Sequence, residues 1–353
     1  MRIALDGMGS DNAPEVEVAG AVAASLESSH EFILVGDETR LNDELAKHPK
    51  RGNIRVVHAS ERIGMDDPPV LAVRKKKDAS LLVAMRLVKD GQADAIVSAG
   101  NTGAVMVAAR TVLGPIRGVA RSAICQALPT ATGRVVLLDL GANVDCTARH
   151  LCEFAEMGMA YSTYALGVEN PRVGLLNIGE EEAKGTQVAK EVHRLLTAAK
   201  HVNFIGNVEP KAMYNGAADV VVCDGFIGNV ILKTSEAVAG VMGKLLREKL
   251  TGSSMSKIGA MLARNALQEL KETVDPNYHP GAPLLGVNGM VIITHGSCEP
   301  LGVKNALLGA GIAVENRLTA HVRENVAELR GIGIALDGNG ASEPAPQETE
   351  ALQ

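Results

Sequence analysis

Tryptophan is absent, and phenylalanine and tyrosine supply four residues each, so aromatics make up only 2% of the chain. Platforms for stacking on nucleobases are therefore scarce, and a formal net charge of -6 opposes a phosphate backbone. Nucleic acid is excluded as a partner. Cysteine is sparse as well: Cys125, Cys146, Cys152, Cys223 and Cys298 form no C-x-x-C pair. An odd number in a chain of 353 residues argues for reduced thiols in a cytosol and against a disulfide framework. No long apolar run is uninterrupted. The most apolar window, 93–114, is broken by Asp94, Asn101, Thr102 and Arg110, and reads as strand, loop and buried helix. Met1 to Asp6 reads directly as a first strand, so no signal peptide is expected. These absences predict a cytoplasmic protein.

The common cofactor signatures are missing too. Gly7-Met-Gly9 begins like a dinucleotide loop, but Asn12 stands where the third glycine belongs. No G-x-x-x-x-G-K-[ST] occurs, since Gly185 follows Lys184 instead of preceding it. The nine histidines show neither H-E-x-x-H nor H-x-x-x-H spacing, and consecutive Glu180, Glu181 and Glu182 cannot all face one ion. Asp6, Asp139 and Asp224 sit near strand ends, where each can cap the helix that follows. Neither a metal nor an organic cofactor is expected.

What is present is a repeated pattern: a short β-branched apolar run, a Gly/Asn/Asp cluster, then helical periodicity. It occurs at 3–5, 33–35, 95–97, 135–138, 173–178, 202–205 and 220–222, and a last apolar run, 290–293, ends at Thr294-His-Gly296. Strands alternating with helices predict a Rossmann-like three-layer α/β/α sandwich with a mostly parallel sheet. The loops that follow the strands should gather along one edge of that sheet, where α/β folds bind ligands. Residues 1–336 read as one domain, and 337–353, rich in Gly, Ser, Pro and Glu, as a disordered tail. The segment 234–274 carries no strand pattern and reads as an inserted αα-hairpin, two helices around Thr251-Gly-Ser-Ser254 that protrude from the body. Between Val241 and Arg264 it holds Lys244, Arg247, Lys249, Lys257 and Arg264 against Glu248 alone.

The loops share glycine and asparagine: Gly100-Asn101, Gly141-Ala-Asn143, Gly206-Asn207 and Gly228-Asn229. Each pair can serve simply as a turn. Together they would form a neutral, donor-rich cradle suited to phosphate and to a carbonyl oxygen that becomes negative during reaction. Lys184, in Asn177-Ile-Gly-Glu-Glu-Glu-Ala-Lys-Gly185, adds a point charge, and the three glutamates are assigned to complementing the next helix's dipole and holding that lysine. His295 either orients a loop or touches substrate. Cys298, three residues on, reads more readily as packing than as a nucleophile.

In order along the chain, Leu5-Asp-Gly-Met-Gly-Ser-Asp-Asn-Ala-Pro14, Ser98-Ala-Gly-Asn-Thr-Gly-Ala104, Leu138-Asp-Leu-Gly-Ala-Asn143, Leu176-Asn-Ile-Gly-Glu-Glu-Glu-Ala-Lys-Gly185, Phe204-Ile-Gly-Asn-Val-Glu209, Asp224-Gly-Phe-Ile-Gly-Asn-Val-Ile-Leu-Lys233, Gly281-Ala-Pro-Leu-Leu-Gly286 and His295-Gly-Ser297 resemble the bacterial acyl-acyl-carrier-protein:phosphate acyltransferases. The resemblance runs from Ile3 to about Leu308; Gly7, Ser10 and Pro280 depart from it, at turns only. It implies a phosphotransacetylase- and isocitrate-dehydrogenase-like fold and a homodimer. The implied reaction converts long-chain acyl-acyl carrier protein and inorganic phosphate to acyl phosphate and free carrier protein. The acyl phosphate would feed a downstream membrane glycerol-3-phosphate acyltransferase in phospholipid synthesis. It further favours peripheral contact between the 241–264 hairpin and an anionic membrane, although the same basic face would suit acidic carrier protein.

For that reaction Lys184 is expected to hold phosphate, and Asn229, with the backbone N–H groups of Gly225–Gly228, to stabilise the oxyanion. Gly9, Asn101, Gly103, Asn143, Gly179, Glu180, Gly185, Asp224, Gly225, Gly228 and His295 are the expected substrate contacts. The competing readings are a phosphotransacetylase-like enzyme acting on acyl-coenzyme A, a decarboxylating dehydrogenase, and a membrane-bound scaffold without activity.

Overall fold

The structure, a computed structural model, describes residues 1–329. The tail expected over 337–353 lies outside them. The strands are β1 (Arg2–Asp6), β2 (Glu31–Gly36), β3 (Ile54–His58), β4 (Ala95–Ser98), β5 (Ala123–Thr130), β6 (Gly133–Leu138), β7 (Val173–Leu176), β8 (Phe204–Val208), β9 (Val220–Val222), β10 (Ala282–Leu285) and β11 (Met290–Ile293). They form one sheet of 11 strands in the order β3-β2-β1-β4-β11-β10-β5-β6-β9-β7-β8.

Period-two alternation sends neighbouring side chains to opposite faces, so Ile3 and Leu5 enter one apolar layer while Ala4 enters the other. Helices Glu15–Glu27, Ala148–Leu166 and Pro300–Glu315 cover the first layer; Pro69–Lys75, Ser80–Lys89 and Thr102–Ala108 cover the second. The expected three-layer sandwich with a mostly parallel sheet is what the chain forms.

The loops, however, do not share one edge. From β3 through to β11 all neighbours are parallel, as they are from β6 through to β8. Between these halves lie three successive antiparallel pairings, β11 with β10, β10 with β5 and β5 with β6. Three reversals leave the two parallel halves pointing in opposite directions. β5 also staggers them: Ala123 and Ile124 pair with β10, and Cys125 to Thr130 pair with β6. The halves therefore meet head to head, and the loops after β4 and β11 face those after β6 and β9. A cleft between opposed strand ends replaces the expected single edge.

Residues 225–274 form three helices, Gly225–Thr251, Ser254–Leu262 and Arg264–Val274, where two were expected from 234 onward. Asp224 caps the first, its carboxylate accepting from the Ile227 N–H at 2.8 Å. This helix of 27 residues is continuous from the cleft outward, a length of about 40 Å. Only Gly225 and Gly228 in it are buried, and no residue of the two shorter helices is. Among the described residues, no helix is long and apolar enough to cross a membrane.

Candidate active site

The opposed loops enclose a cavity of about 850 Å³. Asn101 and Gly103 after β4 and His295 to Cys298 after β11 form one wall; Gly141 after β6 and Asn229, Lys233 and Glu236 on the long helix form the other. The expected residues Asn101, Gly103, Asn229 and His295 are thus brought together. Asn143, Asp224, Gly225 and Gly228 lie behind the second wall, and Gly9 lies behind the first, packed between Asp6 and Gly100.

Four asparagines were expected to offer donors, but three use their amides on the fold. Asn101 accepts from the Ala104 N–H at 3.1 Å and donates to the Met65 and Asp67 carbonyls at 2.8 and 3.1 Å, tying the loop after β4 to the 64–67 turn. Asn143 donates to the Ser122 carbonyl at 2.8 Å and to Asp139 at 2.9 Å. Asn207 lies within β8, not after it, and donates to the Glu181 carbonyl at 2.8 Å. Asn229 is the exception: its amide has no hydrogen-bond partner among the described residues, and it lies in the cavity against Gly141.

The buried Asp139 carboxylate explains how this wall is held. It accepts from the N–H groups of Ile124, Ala142 and Asn143 and from the Asn143 amide. Burial raises its pKa while those donors pull the other way. The Gly225–Gly228 turn packs directly on it, and the Gly225 N–H donates to the Asn143 carbonyl at 2.7 Å. The Ile227 and Gly228 N–H groups both go to Asp224. Of the backbone donors expected to face an oxyanion, those of Gly225, Ile227 and Gly228 are thus occupied by the fold.

Lys184, Glu180 and Gly185 are exposed on the loop after β7, the strand next to β9, where Gly179 is buried; all four lie outside the cavity lining. Among the described residues the Lys184 ammonium has no ion-pair or hydrogen-bond partner. No glutamate carboxylate among them pairs with it; the Lys184 backbone N–H instead donates to the Glu181 carbonyl at 3.0 Å. The loop is fastened further by Asn177, which donates to the Lys184 carbonyl at 3.2 Å, and by Asn207, which donates to the Glu181 carbonyl.

One cluster escaped the sequence reading. Lys233 Nζ lies 2.9 Å from Glu236 Oε2 and 3.0 Å from His295 Nε2, and His295 Nε2 is 3.7 Å from Glu236 Oε1. The His295 and Lys233 contacts outweigh burial and hold Glu236 down at about 2. The available signal was spacing: Asn229, Lys233 and Glu236 fall on one helical face.

Cys298 borders the cavity but is 5% exposed, and burial first, then the Glu17 carboxylate, push its thiol up to about 12. Burial and a raised pKa both disfavour the thiolate that attack would need. Glu17 is fully buried and accepts from the Ser10 N–H at 2.8 Å; burial pushes it up to about 7. A raised folded-state pKa makes its contribution to stability complete below its ordinary value of 4.5 and lost as pH rises through about 7. Glu17→Gln keeps the acceptor for Ser10, so its stability relative to the parent should rise between about pH 5 and pH 8, approaching about 3 kcal/mol. Equal changes in denaturation midpoint at both pH values would contradict this.

A sheet made of two opposed parallel halves around such a cleft is similar in fold to the phosphotransacetylases. The chain superposes with a TM-score of 0.60 on a phosphotransacetylase from Streptococcus pyogenes (18% identity, 89% of this chain and 94% of that one). The score is 0.58 for the EutD phosphotransacetylase from Staphylococcus aureus (16% identity, 90% and 94%). Residues 1–321 match the fatty acid synthesis protein family, and the chain belongs to that family. Relatives include the phosphate acyltransferase of Geobacter sp. (strain M21), 50% identical over 308 residues, 87% of each chain. That of Pelotomaculum thermopropionicum is 47% identical over 335 residues, 94% of this chain and 98% of its own.

Proposed function

We propose that this chain is a phosphate acyltransferase that moves a long-chain acyl group from acyl carrier protein to inorganic phosphate, in phospholipid synthesis. The observation that carries the reading is the Asn229 amide, unpartnered among the described residues, in a cleft between two sets of strand-end loops, in a chain whose relatives are phosphate acyltransferases. A phosphate oxygen forms the new bond to the thioester carbon, and the carbonyl electron pair moves to oxygen, where Asn229 donates a hydrogen bond. The pair returns, the C–S bond breaks, and the departing thiolate takes a proton from solvent. Phosphate is already anionic, so positioning and electrostatics carry the rate and no strong protein base is needed. Ile124, Leu140, Met106 and Ile293 give the acyl end an apolar lining.

Lys184, on the neighbouring loop, supplies a cation for phosphate. Lys184→Ala should lower acyl-phosphate formation at least tenfold, about 1.4 kcal/mol, with the melting temperature unchanged. Turnover near the parent value would remove Lys184 from the mechanism.

The fold likeness to phosphotransacetylases favours acyl-coenzyme A as the second reading of the substrate. Phosphate-dependent thiol release, compared between carrier-protein and coenzyme A thioesters, separates the two. Release from neither would support the non-catalytic scaffold.

The helical segment is assigned to membrane contact and to dimer formation. Leu245, Leu246 and Met261 are 47%, 40% and 70% exposed, beside the five cations of residues 241–264. An anionic surface attracts each such cation by about 1 kcal/mol. Replacing these three apolar residues with glutamate should abolish co-sedimentation with anionic liposomes while thiol release continues in solution. Unchanged co-sedimentation would end the membrane assignment. In this reading the enzyme works at the inner face of the membrane, passing acyl phosphate to a membrane glycerol-3-phosphate acyltransferase.

A further inference from the structure

We infer that Lys233, clamped between Glu236 and His295, is a second cation for the phosphate nucleophile and the one that meets it inside the cavity. The inference rests on the acyl-transfer reading above and adds a residue and a location to it. An ammonium has three N–H donors and no acceptor. Here one donor goes to Glu236 Oε2 at 2.9 Å and one to His295 Nε2 at 3.0 Å, leaving a third for a ligand. The lysine side chain is about half exposed and lines the cavity, whereas Lys184 does not.

Position supplies the second argument. Asn229 and Lys233 are four residues apart on one helix, which places their Cβ atoms roughly 5–6 Å apart on the same face. A nucleophile poised to attack sits about 3–3.5 Å from the carbon whose oxygen becomes the oxyanion. One helical turn is therefore the spacing needed for the amide to meet that oxygen while the ammonium meets the phosphate. Glu236, a further turn along, positions Lys233 and limits the cavity's net positive charge.

The two side chains should affect phosphate in opposite directions, which a structural role would not produce. Lys233→Ala should raise the KM for inorganic phosphate about tenfold and leave the KM for acyl carrier protein within about twofold, with Lys233→Arg intermediate. Glu236→Gln removes a repelling carboxylate and should lower the phosphate KM. Line broadening of inorganic phosphate in ³¹P NMR reads binding independently of turnover, and should be lost in Lys233→Ala. A phosphate KM unchanged in Lys233→Ala, or raised in both variants, would overturn the inference. If the parent binds phosphate through Lys233 yet forms no acyl phosphate, the acyl-transfer reading fails and the phosphate site stands. If the parent forms acyl phosphate and Lys233→Ala binds phosphate normally, the reading stands and the site fails.

Discussion

Asn229→Ala is expected to lower acyl-phosphate formation about 10²- to 10³-fold, the usual consequence of removing one oxyanion donor, on the order of 3–4 kcal/mol of transition-state stabilisation. The amide bonds to nothing else among the described residues, so truncation leaves no orphaned partner, and the melting temperature should hold. The KM for either substrate should change little, because the interaction strengthens only as the carbonyl oxygen gains charge. Asn229→Asp separates geometry from charge: it keeps the shape but places a carboxylate where negative charge develops, and should be at least as damaging as alanine. Rates within about fivefold of the parent for Asn229→Ala would show that the oxyanion forms elsewhere in the cavity.

The second large effect is structural. Gly228→Ala places a methyl group against the Asp139 carbonyl oxygen, with the Asp139 carbonyl carbon and Cys223 Sγ each about 3.0 Å away. The obstacle is backbone, which cannot rotate aside as a side chain could. The helix start must move away from the loop after β6, at a cost of about 3 kcal/mol or more. Asn229 is the next residue, so activity should fall with stability. A several-degree drop in melting temperature together with loss of turnover is the expected pair of results. A variant that melted normally would show that the helix start can shift freely, contrary to the tight packing around Asp139.

Much of this arrangement was legible in the sequence, and the omissions have a common physical cause. β9 and β11 fall where the apolar runs placed them, and β1, β2, β4 and β6 extend those runs by one to three residues. All have a β-branched or aliphatic run that ends in a Gly/Asn/Asp loop before a helix. The strands that went unread are β3, β5 and β10. β5 contains Gln126 and Pro129, β10 is only Ala282–Leu285 with a proline inside it, and neither leads into a helix. β5 and β10 are the strands that reverse the sheet, so missing them also meant missing the head-to-head meeting of its halves.

The site shows a similar division. Glycine and asparagine marked the right loops, because close packing and left-handed turns need them, but composition does not tell a free amide from an occupied one. Asn101, Asn143 and Asn229 look alike in sequence; only their neighbours distinguish the two whose amides brace loops from the one whose amide stays free beside the cavity. Lys233 stood at the end of a motif that drew attention for its glycines and Asn229. Its partner His295 lies 62 residues on and meets it only through the fold.

The pairing of β4 with β11 has a consequence for synthesis. The order β3-β2-β1-β4 can assemble once about the first hundred residues have left the ribosome. The free side of β4, whose residues Ala95 to Ser98 are fully buried in the finished molecule, then waits for Met290–Ile293. For most of translation the nascent chain carries an apolar strand with unpaired backbone groups, an invitation to pair with another chain. Fragments ending before residue 290 should aggregate through that strand, and holdase chaperones should be retained on the nascent chain until Met290–Ile293 has emerged.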